Sequence, residues 1–186
     1  MDPNDVELVQ RVRSGDEDAF QQLVARHSRA LFGIAWRITG NTADADDVVQ
    51  EAFLRAYRRI ETYDGRAGVA TWLYRIAVNC SLDLIESRRR REAPLTAVDD
   101  LTRFSGEGAS PERTAHAAEV QRAIDAALTQ LSGNERTAFV LRHFEGVPLE
   151  EIGQILGTRL NATKNTIFRA VRKLREHLQP YTGSLV

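Results

Sequence analysis

The feature that most constrains this chain is the spacing of its apolar residues. They recur every three or four positions through nearly every patterned stretch, and strand-like alternation occurs nowhere. Such spacing draws one apolar stripe along a helix, so the expected fold class is all-α. Phe20, Leu23, Val24, His27, Leu31, Ile34, Ala35 and Ile38 form the first long stripe, which Gly40-Asn41 closes as a helix C-cap. Thr42 is expected to cap the next helix. Its first turns hold Asp44, Asp46 and Asp47, where the helix dipole favours acid, and Val49, Phe53, Ala56, Tyr57 and Ile60 face inward. Tyr63–Gly68 reads as a loop with two glycines. A third helix follows, with Trp72, Leu73, Ile76, Ala77, Cys80 and Leu84 inward, and runs into Arg88–Arg91.

Residues 92–111 change character. Pro94, Asp99, Asp100, Gly106, Gly108 and Pro111 interrupt them and the apolar residues lose their period. This segment reads as a flexible linker between two small helical domains, 1–91 and 112–186. The second domain opens on a helix through Val120, Ile124, Ala127, Leu128 and Leu131. Ser132 and Glu135 then form a capping box for a helix carrying Ala138, Phe139, Leu141 and Phe144, ended by Gly146. Pro148 is placed as the first residue of a short helix that stops at Gly157. Asn161 is expected to cap the last helix, which runs to about His177.

A short helix, a glycine turn and a longer polar helix make a helix-turn-helix pattern. At 100° per residue, Leu160, Thr163, Ile167, Val171, Leu174 and Leu178 of the final helix fall on one side. Ala162, Asn165, Arg169, Arg172 and Lys173 fall opposite, with Arg159 and Lys164 near the N-terminal end. Asn can read an adenine edge, Arg a guanine edge or a phosphate, and the N-terminal end of such a helix enters the major groove. The competing reading is a solvated amphipathic surface helix. The glycine turn, the acidic start of the short helix and the cations from Arg169 to Arg175 together favour double-stranded DNA. Lys plus Arg (25) nearly balances Asp plus Glu (26), which argues mildly against a nucleic-acid partner. Segregation of charge along the chain answers that objection, because local patches set the field a partner feels.

No chemistry of catalysis is legible. His27, His116, His143 and His177 are scattered without metal-ligand spacing, and no phosphate loop, nucleophile elbow or cysteine cluster occurs. The expectation is a non-enzyme without cofactor or metal. One cysteine, no signal-peptide core and no apolar run near the ~20 residues of a bilayer span point to a cytoplasmic chain without membrane insertion.

Three segments carry a family resemblance. Asp46-Asp47-Val48-Val49-Gln50-Glu51-Ala52-Phe53-Leu54-Arg55-Ala56-Tyr57 resembles the second conserved region of bacterial sigma factors. Thr71-Trp72-Leu73-Tyr74-Arg75-Ile76-Ala77-Val78-Asn79, with Asp83 and the arginines beyond, resembles the promoter-melting segment of the extracytoplasmic-function (ECF) sigma factors. Leu131 to Leu178 resembles their fourth region. The resemblance implies a region 2 bundle in 1–91, a linker in 92–111 and a region 4 helix-turn-helix in 112–186. It also implies binding to core RNA polymerase and promoter DNA, transcription initiation, and control by an anti-sigma factor.

Site roles follow from the same resemblance. Asp47, Gln50, Glu51, Leu54 and Arg58, off the apolar stripe, would dock on core polymerase. Tyr63, Arg66, Tyr74, Arg75 and Asn79 would meet the minus-ten element, where an unstacked base enters a pocket formed by the loop from Tyr63 to Ala70. Arg88 and Arg89 would track phosphates. Trp72 reads as core and Asp83 as a paired structural acid. Arg159, Ala162, Lys164, Asn165, Thr166, Arg169, Arg172 and Lys173 would meet the minus-thirty-five element. Departures from the family pattern are Val69 in place of an aromatic residue, Glu86 at an often basic place, and Thr163-Lys164-Asn165-Thr166 in place of Val-Lys-Ser-Arg. The cation missing at Thr166 shifts the expected base contacts toward Asn165 and Arg169. Two other classes explain less of the chain. A repressor acting without polymerase leaves the acidic helix and the Trp72 segment unused, and a protein-only adaptor needs no reading helix.

Overall fold

Local chemistry sets most of the helix ends. The computed structural model describes residues 3–91 and 123–182, so the linker expected at 92–111 lies outside the described residues. Helix α1 spans Pro3–Arg13, α2 Glu17–Thr39, α3 Thr42–Arg58 and α4 Val69–Arg91, with a 3-10 turn at Ile60–Thr62. Helical residues 123–129 (α5) precede α6 at Gly133–His143, α7 at Leu149–Leu156 and α8 at Leu160–Thr182. No strand occurs among the described residues. The capping box forms as expected: the Glu135 amide donates to Ser132 Oγ at 3.3 Å, and the Ser132 amide donates to Glu135 Oε2 at 3.1 Å. Gly40 closes α2 in the left-handed region, at φ 74°.

Three starts differ from expectation. The cap of α3 is Asn41, whose side-chain oxygen accepts from the Asp44 amide at 3.0 Å, and Thr42 is already helical. Asn is the stronger cap of the two and stands one residue earlier. Pro148 precedes α7 with extended backbone, because its carbonyl accepts the first helical bond from Ile152. The last helix starts at Leu160, one residue before Asn161, since the Thr163 amide already reaches Arg159 O at 3.0 Å.

Helices α1 to α4 build one core. Leu8, Val9, Leu23, Leu31, Val48, Ala52, Leu73 and Ala77 are buried in it. A second core does not respect the expected division. Ile34 and Ile38 of α2 and Val78 of α4 are fully buried together with Val140 and Leu141 of α6 and Ile152 of α7. Burial of one such side chain is worth about 1.5–3 kcal/mol. Helices α2 and α4 are therefore packed on α6 and α7 through shared apolar side chains. A guanidinium reinforces the seam: Arg136 Nη1 donates to Ile38 O at 2.7 Å, and Nη2 to Thr129 O at 3.0 Å.

The shared core makes a direct prediction. Ile38→Ala is expected to cost about 2–5 kcal/mol in chemical denaturation and to lower a single unfolding transition seen by probes in both halves. Two separate transitions, with the variant shifting only the one from the N-terminal half, would contradict a shared core.

Candidate nucleic-acid interface

The outer face of α3 stands free of the bundle. Asp47, Gln50 and Arg58 are exposed, and Leu54 is 43% exposed. Glu51 is half-buried, accepts from Arg55 Nε at 2.6 Å, and shares that arginine with Asp83, which lies 3.2 Å from Nη1. Asp83 is thus paired as expected, but at the surface. Tyr57 departs from its inward assignment and is 46% exposed. Its ring meets Phe20 at 4.9 Å, and with Phe53 and Leu54 it lines a shallow apolar cavity of 450 Å³. Tyr57 stands at the edge of the stripe, and Phe20 of α2 covers only one side of its ring.

The loop after the 3-10 turn is held from inside. Tyr63 is 6% exposed; its hydroxyl donates to Ala67 O at 2.7 Å and its ring lies 5.4 Å from Trp72. It braces the loop instead of presenting a stacking face. Gly65 turns at φ 74°, the Arg66 amide donates to Asp64 Oδ1 at 3.0 Å, and the Arg66 side chain is 89% exposed. Asn79 and Arg89 are exposed on α4. Arg88 is occupied: Nη2 donates to Asp44 Oδ1 at 2.5 Å and Nη1 pairs with the other oxygen, so this cation closes the α3–α4 packing instead of tracking phosphates.

Helix α7 and the turn before it cover the rest of this face. Arg75 Nη2 donates to Gln154 O of α7 at 2.9 Å. Tyr74 is half-buried in the seam and donates its hydroxyl to Glu145. Burial, then the Glu145 charge, pushes the Tyr74 hydroxyl up to about 12. Between loop and α7 lies a cavity of 320 Å³ walled by Arg66, Trp72 and Arg75 on one side and Glu151, Gln154 and Ile155 on the other.

The turn between α7 and α8 forms as expected. Gly157 sits at φ 64° and its amide donates to Gly153 O. Gly153 permits the close approach: a Cβ there would meet Thr158 O at 2.9 Å and Thr163 Oγ1 at 3.1 Å. Arg159, just before α8, and Ala162, Lys164, Asn165, Arg169 and Arg172 on it are exposed. Thr166 is 8% exposed and its hydroxyl donates to Ala162 O at 2.9 Å, so it faces the domain and not a groove. Lys173 is also turned inward, with Nζ 2.7 Å from Glu135 Oε2, while Arg169 Nε lies 3.7 Å from the other oxygen. Burial pushes the Glu135 carboxyl up, but Lys173 and the Ser132 donors outweigh it and hold it below the ordinary value. Sequence reasoning missed Phe168, 69% exposed and on the same face as Lys164 and Arg172. The available signal was an aromatic residue standing off the apolar stripe.

Comparisons with known proteins agree with this geometry. The Sigma-70 region 2 model matches residues 23–91 and the Sigma-70, region 4 model residues 121–174. The RNA polymerase sigma-H factor of Pseudomonas aeruginosa is 36% identical, over 95% of this chain and 94% of that protein. ECF RNA polymerase sigma factor SigW of Bacillus subtilis is 32% identical, over 92% of this chain and 95% of that protein. In the solved structure of CnrH in complex with the cytosolic domain of CnrY, a chain 29% identical aligns over 96% of this chain and 99% of its own, with a TM-score of 0.69. The chain belongs to the ECF sigma factors of the sigma-70 family. No described helix is long and apolar enough to cross a membrane.

The seam has a pH signature. Burial pushes the Glu145 carboxyl up, against the opposing pull of Arg37 and the Tyr74 hydroxyl. The folded state thereby favours the protonated acid. That contribution is complete below the ordinary value of 4.5 and is lost as pH rises through the raised one. Glu145→Gln deletes the charge and keeps an acceptor for Tyr74. It is expected to raise the melting temperature by about 2 °C at neutral pH and to make no difference near pH 4. A lower melting temperature at neutral pH would contradict the sign of this effect.

Proposed function

We propose that this chain docks on core RNA polymerase through the outer face of α3 and reads a promoter with α4 and α8 held apart. The observation that carries the reading is one chain presenting two separate faces: carboxylates around an exposed Leu54, and cations with Asn165 behind a glycine turn. Carboxylates beside an apolar anchor suit a basic partner helix. The docking set is Asp47, Gln50, Glu51, Leu54 and Arg58, with Tyr57 beside them. Minus-ten contacts fall to Arg66, Asn79 and Arg89, joined by Tyr74 and Arg75 once α7 leaves them. Minus-thirty-five contacts fall to Arg159, Ala162, Lys164, Asn165, Arg169 and Arg172, with Phe168 suited to a thymine methyl. The working division is 1–91 for region 2, 92–111 for the tether and 112–186 for region 4.

Geometry supports an opening step. Elements about 25 base pairs apart lie roughly 85 Å apart on B-DNA at ~3.4 Å per step. A domain of this size is about 40 Å across. One packed body cannot reach both elements, so region 4 must leave region 2. CnrH is bound by the cytosolic domain of CnrY. We read this chain as likewise cytoplasmic and held by an anti-sigma partner until released.

Run-off transcription with purified core polymerase on genomic fragments tests the reading. Specific transcripts that depend on the added chain are expected. Leu54→Asp should weaken polymerase binding by about 2 kcal/mol, roughly thirtyfold, while Lys164→Ala should leave polymerase binding intact and weaken promoter binding. No transcripts, or variants indistinguishable from the parent, would contradict it.

A further inference from the structure

We propose that Arg13, on α1, is a positioning residue for the promoter-reading loop. The proposal rests on the assignment of residues 63–70 to minus-ten recognition. Helix α1 precedes the stretch matched by the region 2 model, which begins at residue 23. At the end of the 3-10 turn at Ile60–Thr62, Ile60 O accepts one long bond, from the Tyr63 amide at 3.3 Å, and the carbonyls at the end of such a turn need further donors. Arg13 supplies them. Nε and Nη2 donate to Ile60 O at 3.2 and 2.9 Å, and Nη2 also donates to Glu61 O at 3.2 Å and to Tyr63 O at 2.5 Å. A guanidinium offers five donors in a rigid fork, so one side chain fixes several peptide planes at once.

The anchor behind this fork is firm. Leu8, Val9 and Val12 of α1 are buried in the region 2 core. At the other end of α1, Asp5 is 4% exposed, accepts from Arg26 Nη1 at 2.5 Å and is hydrogen-bonded to His27 Nε2 at 2.9 Å. Tyr63 receives the constraint at two atoms: its carbonyl is held by Arg13 and its hydroxyl is bonded to Ala67 O. The loop is therefore tied at its entrance to α1 and across its middle to itself. Arg66 and the Trp72 wall of the adjoining cavity inherit that geometry. The role assigned to Arg13 requires no contact with a base. It acts by holding the loop in one shape, which matters because capture of an unstacked base rewards a site already formed.

The test uses the full chain in holoenzyme and a promoter fragment recovered from run-off transcription, with each base of both elements substituted in turn. Arg13→Ala is expected to assemble with polymerase at wild-type affinity and to lose about tenfold in transcription. Its preference among minus-ten bases should flatten at least threefold, with discrimination at minus thirty-five intact. Arg13→Lys keeps the charge and the stem but not the fork. It is expected to restore the melting temperature without restoring minus-ten discrimination, which keeps the test open if the alanine variant unfolds. Undiminished minus-ten discrimination in both variants would overturn the role of Arg13 alone. Parallel loss at both elements would reduce it to general stability and overturn it equally. Wild-type indifference to minus-ten substitutions would overturn the loop assignment, and Arg13 with it.

Discussion

Ile34, Ile38 and Val78 on one side and Leu141 and Ile152 on the other form the contact on which this arrangement depends. Each is 0% exposed, so the seam between region 2 and region 4 is as dry as either interior. Polar groups at its edge are bonded across it: Arg136 to Ile38 O, Arg75 to Gln154 O, Tyr74 to Glu145. Arg37 lies 4.1 Å from the Phe144 ring centre and completes the rim. A free-energy difference of this kind must be matched before the halves can part. Binding to polymerase and to promoter together would have to match it.

Pairing within each half decides which cations are available. Charge in the sequence is nearly balanced, and the fold spends part of the positive set internally. Arg88 satisfies the buried carboxylate of Asp44, and Lys173 that of Glu135, because a buried acid without a partner is costly. What stays outward on α8 and just before it is narrower and more directional: Arg159, Lys164, Asn165, Arg169 and Arg172 with an exposed Phe168 among them. Thr166 faces inward, where a longer cationic side chain would have to leave its hydroxyl's place against Ala162 O.

Much of this was legible in the sequence because it is local. Helix identity, the Gly40 and Gly157 turns and the Ser132–Glu135 capping box are written within a few residues of where they act. Helix α1 escaped because it precedes the stretch where the stripe is long enough to read. The stripe correctly placed Ile34 and Ile38 inward, yet could not say that their partners stand 100 residues later. Val78 lies on the side of α4 opposite the main stripe, so one helix serves two cores and a single period describes only one. Tyr63, Arg88 and Lys173 look like surface ligands when read singly. Trp72 with Ala67, Asp44 and Glu135, which occupy them, lie on other elements or across a turn.

The central claim is that region 2 and region 4 are packed together in the free chain and separate to read a promoter. Pulsed electron-spin distance measurement between labels at Asp18→Cys and Glu176→Cys, in a Cys80→Ser background, tests it most directly. A narrow distribution below about 45 Å in the free chain, lengthening to roughly 70 Å or more in the polymerase–promoter complex, is the predicted result. A broad, long distribution in the free chain, or the same short distance in the promoter complex, would contradict the account.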